Sequence, residues 1–208
     1  MAAVSNLPLP IGVRVIGVTG GIAMGKSTLS NYLEKAHQLP VFDADRYARE
    51  AVAPGSEILQ AIATHFGAAI LQPDGSLDRK ALGQIVFNHA QERHWLEEQI
   101  HPFVRYRLQT ERDRALQDDP QRPVFLMVPL LFEAEMTDLV TEIWVVYCPE
   151  EQQIQRLMQR ESLSWDQAQA RMTSQMEIQK KCDRAHLVLD NSLTIEFLLS
   201  QVDRALAS

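Results

Sequence analysis

The sequence predicts an α/β fold in which helices flank a central parallel sheet and a helical segment is inserted between two of the strands. Val13, Val15, Ile16 and Val18 form a nearly continuous apolar run, the pattern of a strand buried on both faces. Strand-like and helix-like segments then alternate, which argues for parallel strands joined by helical crossovers. From Ala44 to about Gln117 the period is helical throughout, so this stretch reads as an insertion between strands.

The first strand is closed by Thr19-Gly20-Gly21, and Leu29, Tyr32, Leu33 and Ala36 recur at helical spacing from Lys26 onward. Pro40-Val41-Phe42 gives a short second strand running into Asp43, which completes a strand, loop, helix, strand unit. Within the insertion, Ile58, Ile62 and Phe66 share one helix face; Leu82, Ile85 and Val86 mark a second helix, and Trp95, Leu96 and Ile100 a third. Turns are expected at Pro54-Gly55, at Pro73-Asp74-Gly75 and at the His101-Pro102 step, where proline disfavours helix before it. The polar stretch 117–123 closes the insertion, and Val124 to Val128 returns as a buried strand. Ile143 to Cys148 makes the next strand, 149–181 is helical and rich in Gln and Arg, Leu187-Val188-Leu189 is the last strand, and 193–206 the last helix.

At 208 residues and 46% hydrophobic, the chain is long enough for one full core with smaller appended parts. No apolar run approaches the roughly 20 residues of a bilayer span. Residues 1–10 lack the basic start and apolar centre of a secretory signal, so a cytoplasmic protein is expected. The formal charge of -7 argues against general nucleic-acid binding, and an anionic substrate would have to meet a local cluster of positive charge. Cys148 and Cys182 form no CxxC-type pair and read as small apolar residues of a reducing compartment. The six histidines are scattered, with no HExxH pair to hold a transition metal.

Gly20-Gly21-Ile22-Ala23-Met24-Gly25-Lys26-Ser27 fits GxxxxGK(S/T), and it lies where that motif works, between a buried strand and a helix start. In such a loop, successive backbone N–H groups surround the β-phosphate, the lysine reaches the β- and γ-phosphates, and the serine hydroxyl ligates magnesium. ATP or GTP with Mg²⁺ is implied, and a merely structural glycine turn would not need two adjacent glycines.

Asp43-Ala44-Asp45 follows the second strand at the sheet edge that also carries the phosphate loop. One of these carboxylates could take the proton of an attacking hydroxyl; capping the helix that starts near Ala44 is the competing use. Arg156 and Arg160, four apart, project from one helix face and suit a clamp over a triphosphate, although a solvated face with Gln152, Gln155 and Gln159 has the same spacing. Arg46, Arg49, Arg79, Lys80, Arg105, Arg107, Arg112 and Arg114 make the central region basic. Spacing alone does not choose which of them meet an anionic acceptor.

Together these segments resemble the dephospho-CoA kinases, enzymes of the last step of coenzyme A synthesis. The resemblance rests on IGVTGGIAMGKST, FDADRYARE, DGSLDRKALGQIVF, IHPFVR, VPLLFE, RLMQRESLSWDQAQARMTSQ and VLDN, and it runs nearly end to end. It implies a P-loop NTPase fold with three parts. These are a nucleotide-binding core of 1–44, 122–149 and 182–208, a helical CoA-binding insertion of 45–121, and a helical lid of 150–181. It also implies ATP-dependent phosphorylation of the ribose 3′-hydroxyl of dephospho-CoA, with no nucleic acid or membrane as partner. Asp45 would then be the general base, Asp43 a supporting carboxylate, Lys26 a catalytic cation, and Arg156 the lid arginine that reaches the transferring phosphate. Gly21, Ile22, Ala23, Met24, Gly25, Lys26, Ser27 and Thr28 would surround the nucleotide phosphates, with Arg160 assisting and Asn191 near the adenine.

Two departures stand out. Ala23-Met24 replaces the Gly-Ser common in the family, at variable positions, so phosphate contacts should survive while loop flexibility falls. No Walker-B aspartate follows strand 124–128. Magnesium would therefore rest on Ser27, with Asp43 or Asp45 approaching it directly or through water.

Overall fold

The computed structural model describes residues 9 and 12–207, so the expectation for residues 1–10 falls, residue 9 apart, outside the described residues. In chain order the elements are β1 (Val15–Gly20), α1 (Lys26–Lys35), β2 (Val41–Asp43), α2 (Ala44–Ala51), α3 (Glu57–Phe66), α4 (Arg79–Asn88) and α5 (Ala90–Asp118). There follow β3 (Val124–Met127), β4 (Glu142–Tyr147), α6 (Glu150–Glu161), α7 (Trp165–Thr173), α8 (Ile178–Cys182), β5 (Leu187–Asp190) and α9 (Ile195–Leu206). They form two compact units, one of the described residues up to Asp43 and from Glu111 onward, the other of Ala44–Thr110. The division therefore falls inside α5, about six residues before the polar stretch that closes the insertion in the sequence.

The first unit is built on a sheet of order β2-β3-β1-β4-β5, parallel at every pairing. Central position explains the composition of β1: all six of its residues are buried, so both of its faces demand apolar side chains. On one face Ile16, Val18, Phe125, Met127, Trp144, Val146 and Leu189 pack with Leu29 and Leu33 of α1 and with Leu198 and Val202 of α9. Both helices present their apolar residues four apart, the spacing of a single stripe. Trp144, 1% exposed, meets Phe125 edge to face at 5.5 Å and donates its indole N–H to Glu142. On the other face Gly17 leaves room for Val140 and Leu131; a Cβ there would stand 3.0 Å from a Val140 methyl.

The second unit has its own core, in which Ala51, Val52, Leu59, Ile62, Ile70, Leu77 and Leu82 are buried and Phe66, Ile85, Trp95, Leu96, Ile100 and Phe103 pack on them. Its helices start on side-chain caps. Ser56 accepts from Leu59 N at 3.1 Å, and Asp78 accepts from Lys80 N and Ala81 N at 3.0 and 2.9 Å. The turn at Asp74-Gly75 is held by Asp74, which accepts from both the backbone and the hydroxyl of Ser76.

One expectation fails here: the chain does not break at His101-Pro102. Pro102 lies inside α5, a single helix of 29 residues. A proline in that position forfeits one helical hydrogen bond and crowds the preceding turn. Ile100 and Phe103, packed on the core on either side of it, together with buried Val104 and Leu108, hold the helix through that loss. His101 is half-buried, and burial lowers its pKa.

Arg14 clasps Glu142 across the start of the sheet, Nε to Oε1 at 2.8 Å and Nη2 to Oε2 at 3.1 Å. Hydrogen bonding from Arg14 holds the Glu142 carboxyl below its ordinary pKa. A carboxylate depressed in the folded state stabilises the fold above its unfolded pKa of about 4.3, and that contribution is lost as pH falls through the lower folded value. Glu142→Gln should therefore lower the urea midpoint at pH 7 and shrink the difference between pH 7 and pH 3. An unchanged difference would mean that the pair adds nothing to acid sensitivity.

Candidate active site

All five strands run the same way, so their carboxyl ends share one edge, which the chain reaches at Gly20, Asp43, Pro129, Cys148 and Asn191. Asp43 pairs with Met127, which pairs with Val18. It thus stands two strands, about 10 Å, from the β1 line. Asp45 lies two residues further on, exposed in the first turn of α2.

The loop from Gly20 to Gly25 turns β1 into α1 through backbone shapes that need small residues. Gly20 has φ +144, and a Cβ there would lie 2.4 Å from the Val146 carbonyl oxygen; Gly25 has φ +106, and its Cβ would lie 2.2 Å from Asn191 Nδ2. Ala23 also adopts φ 61, a left-handed conformation that costs an alanine about 1 kcal/mol. Met24 is fully buried, and its sulfur accepts from Gly21 N at 3.2 Å, so this side chain fills the loop from inside.

Helix α1 begins at Lys26 with no side-chain cap and no acidic residue in its first turn, so its N-terminus is left to an anion. Lys26 Nζ donates to Gly20 O and Gly21 O, both at 2.8 Å. Ser27 is exposed in that first turn, which suits one ligand position of a hard cation. Among the described residues no group of three His, Cys, Asp or Glu side chains could hold a metal. A magnesium ion that keeps its waters and is carried largely by nucleotide oxygens is compatible with this donor set.

The helices after β4 close on the loop. Gln153 of α6, 5% exposed, donates from Nε2 to Ile22 O at 2.9 Å, and Gln175, just past α7, accepts from Ile22 N at 3.0 Å. Ile22 and Ala23 pack against Ile154, Leu157 and Ala168. Arg156, half-buried on α6, donates to Asn191 O at 3.0 Å and Gln152 Oε1 at 3.4 Å. Arg160, one turn on, is half exposed and donates to Glu161 Oε1 at 2.5 Å. Asn191 spends its own amide on Met24 O at 2.8 Å. Burial pushes the nearby Cys148 thiol up, so it stays neutral. Cys148 and Cys182 are both free.

Residues 14–196 match the protein-family model described as dephospho-CoA kinase. A dephospho-CoA kinase of Trichormus variabilis is 55% identical over 193 residues, spanning 93% of this chain and 96% of its own. One from Synechocystis sp. is 52% identical over 192 residues, spanning 92% and 94%. The chain belongs to the dephospho-CoA kinase family. Among solved structures, a Thermus thermophilus protein superposes with TM-score 0.77 at 33% identity, covering 94% of this chain and 97% of that one. A dephospho-CoA kinase from Campylobacter jejuni superposes with TM-score 0.61 at 27% identity, covering 93% and 96%. A shikimate kinase from Aquifex aeolicus, with TM-score 0.51 and 16% identity over 93% and 96%, shares the fold alone. The expected P-loop fold is thus observed, and no helix among the described residues is long and apolar enough to cross a membrane.

Several residues of this dephospho-CoA kinase family site were not singled out from sequence. Gln153 and Gln175 lie 131 and 153 positions from Ile22. Lys181, wholly buried, donates to Glu133 Oε1 at 2.8 Å and to Pro129 O at 3.0 Å, while Thr19 Oγ1 donates to the same carbonyl at 2.9 Å. Glu133 also accepts from Met176 N at 3.0 Å, next to Gln175. Where a Walker-B carboxylate could stand after β3, this chain gathers an ammonium and a hydroxyl on a backbone oxygen. Glu133 and Gln175 sit inside the motif strings VPLLFE and RLMQRESLSWDQAQARMTSQ, the one signal that marked them.

Lys181 is the buried member of this pair and Glu133 the exposed one, so removing the carboxylate strands the buried ammonium, which costs about 3 kcal/mol, whereas replacing both by apolar groups is often neutral. Glu133→Ala should destabilise by about 3 kcal/mol in urea unfolding, and adding Lys181→Met should recover most of that. Additive losses in the double variant would show that the two side chains do not act as a pair.

Proposed function

We propose that this chain transfers the γ-phosphoryl group of ATP to the ribose 3′-hydroxyl of dephospho-CoA, giving coenzyme A and ADP. The observation that carries the reading is the extent of the family match. It runs from 14 to 196, through the phosphate loop and through the whole helical unit of Ala44–Thr110, so it covers an acceptor-reading part as well as the nucleotide site.

The acceptor oxygen attacks the γ-phosphorus in line, the bond from that phosphorus to the β–γ bridging oxygen breaks, and ADP leaves. Asp45 takes the hydroxyl proton and orients the attacking oxygen, with Asp43 as the supporting carboxylate. Backbone N–H groups of 21–28 cradle the β-phosphate, and Lys26 exchanges its loop carbonyls for β- and γ-oxygens as the nucleotide enters. Magnesium, when bound at Ser27, would neutralise charge on those oxygens. Helices α6 to α8, residues 150–181, serve as the lid. Arg156 moves from Asn191 O to the transferring phosphoryl group, Arg160 assists, and Asn191 borders the adenine. Water excluded under such a lid cannot compete with the acceptor.

The function is tested with purified chain, Mg²⁺ and ATP against dephospho-CoA, AMP, adenosine and no acceptor, following ADP and identifying the product by mass. Phosphate on the ribose 3′ position of dephospho-CoA alone is expected; transfer to AMP or adenosine instead would keep the kinase and overturn the acceptor. Arg156→Ala should leave the ATP dissociation constant within about threefold while kcat falls by about 10³ or more, and an unchanged kcat removes Arg156 from the mechanism. Asp45→Asn should lose far more turnover than Asp43→Asn; the reverse order in steady-state kinetics would exchange their roles.

A further inference from the structure

The helical unit of Ala44–Thr110 holds a cavity of about 500 Å³, a size common for small-molecule sites. Three cations line it: Arg49 at the last turn of α2, and Arg79 and Lys80 at the first turn of α4. All three are exposed, and among the described residues none makes an ion pair.

Three other basic residues of the unit are already engaged. Arg46 and Arg107 share Glu50, at 3.4 and 2.8 Å, and Arg107 also lies over the Tyr47 ring. Arg105 has a partner too. The structure thus divides a basic region that spacing alone left undivided: these cations are engaged, whereas Arg49, Arg79 and Lys80 meet at one cavity.

One carboxylate shares the lining, Asp78, whose Oδ1 is spent capping α4 through Lys80 N and Ala81 N. Three positive groups against one negative leave the cavity net positive by about two charges, and holding like charges together without an anion costs stability. The remaining wall is polar at Gln72 and Ser76 and apolar at Val52, Ala53, Pro54 and Leu77, of which Val52 and Leu77 are buried. The ligand that fits carries about two negative charges joined directly to a hydrocarbon portion. A diphosphate esterified on both ends bears one charge on each phosphorus and has that form.

We infer that the Arg49, Arg79 and Lys80 cavity binds the diphosphate of the acceptor, with Val52 and Leu77 under the alkyl chain that leaves it. The inference rests on the reading of dephospho-CoA as acceptor. The guanidinium groups provide two-pronged donors to non-bridging oxygens, and the lysine adds a mobile point charge. Binding here holds the acceptor by a part that does not react, so it fixes affinity rather than the rate of the chemical step.

The test is steady-state kinetics on the full chain and on the Arg49→Gln, Arg79→Gln, Lys80→Gln triple variant at low salt, with calorimetric titration of dephospho-CoA and of adenosine, which lacks a diphosphate. The KM for dephospho-CoA is expected to rise about 30-fold or more, with the KM for ATP and kcat within about twofold. The titration should show the same loss for dephospho-CoA and none for adenosine. An unchanged KM for dephospho-CoA, or equal losses for both substrates with an unchanged melting temperature, would overturn the site. Should the triple variant melt early, the single Arg79→Gln variant is read the same way, with about a 5-fold rise expected and no rise counting against the site. If the wild-type chain turned over no dephospho-CoA, the reading of the acceptor would fail by itself. Titration of inorganic pyrophosphate into wild type and variant would still decide whether this cavity takes a diphosphate.

Discussion

A loop that offers its peptide N–H groups to a phosphate has to be held in shape by contacts that leave those groups available. The rest of the α/β unit is arranged around this constraint. β1 is buried on both faces and fixes where the loop begins, while Gly20 and Gly25 let it pass within contact distance of Val146 O and the Asn191 amide. Asn191 then grips Met24 O, and Met24 fills the space beneath. Ile22 is held from both sides by side chains distant in sequence, Gln153 on its oxygen and Gln175 on its nitrogen. A phosphate that takes the Ile22 N–H therefore has to displace Gln175, which couples the nucleotide to the segment between α7 and α8.

That coupling does not stop at Gln175. The next residue, Met176, donates its N–H to Glu133, Glu133 pairs with buried Lys181, and Lys181 shares Pro129 O with Thr19, the residue before the loop. The path leaves the loop at one end and returns at the other, through the ends of β3 and α8. The links made by Lys181 and Thr19 are shielded from water to some degree, where such contacts are stronger than in solvent and costlier to break, while the bond from Met176 to Glu133 is exposed. A shift of the covering helices is thereby felt at Thr19 as well as at Ile22.

Contiguous features were legible in the sequence. The strand, loop, helix, strand unit could be read because its apolar periods and its glycine motif lie within thirty residues. The helical insertion could be read because Ile58, Ile62 and Phe66 repeat at the right spacing. Contacts that depend on tertiary meeting were not legible. Nothing in the chemistry of Gln153, Gln175 or Lys181 sets them apart until β3, β4 and the phosphate loop are brought to one sheet edge. Pro102 shows the opposite error: its local preference against helix is real, and packing of Ile100 and Phe103 overrides it.

Charge follows the same division between composition and place. A chain of net charge -7 handles two polyanions only if its cations are concentrated where the anions sit and its carboxylates cover the rest. Glu50 neutralises Arg46 and Arg107, Glu142 neutralises Arg14, and Glu161 takes Arg160 together with Arg171. Lys26 and Arg156 are held by backbone carbonyls, Gly20 O and Gly21 O for one, Asn191 O for the other. A carbonyl dipole is a weaker partner than a carboxylate, so these carbonyl contacts can be exchanged for phosphate oxygens at small cost. The backbone oxygens that hold Lys26 and Arg156 at the sheet edge are thus as much a part of the site as the cations themselves.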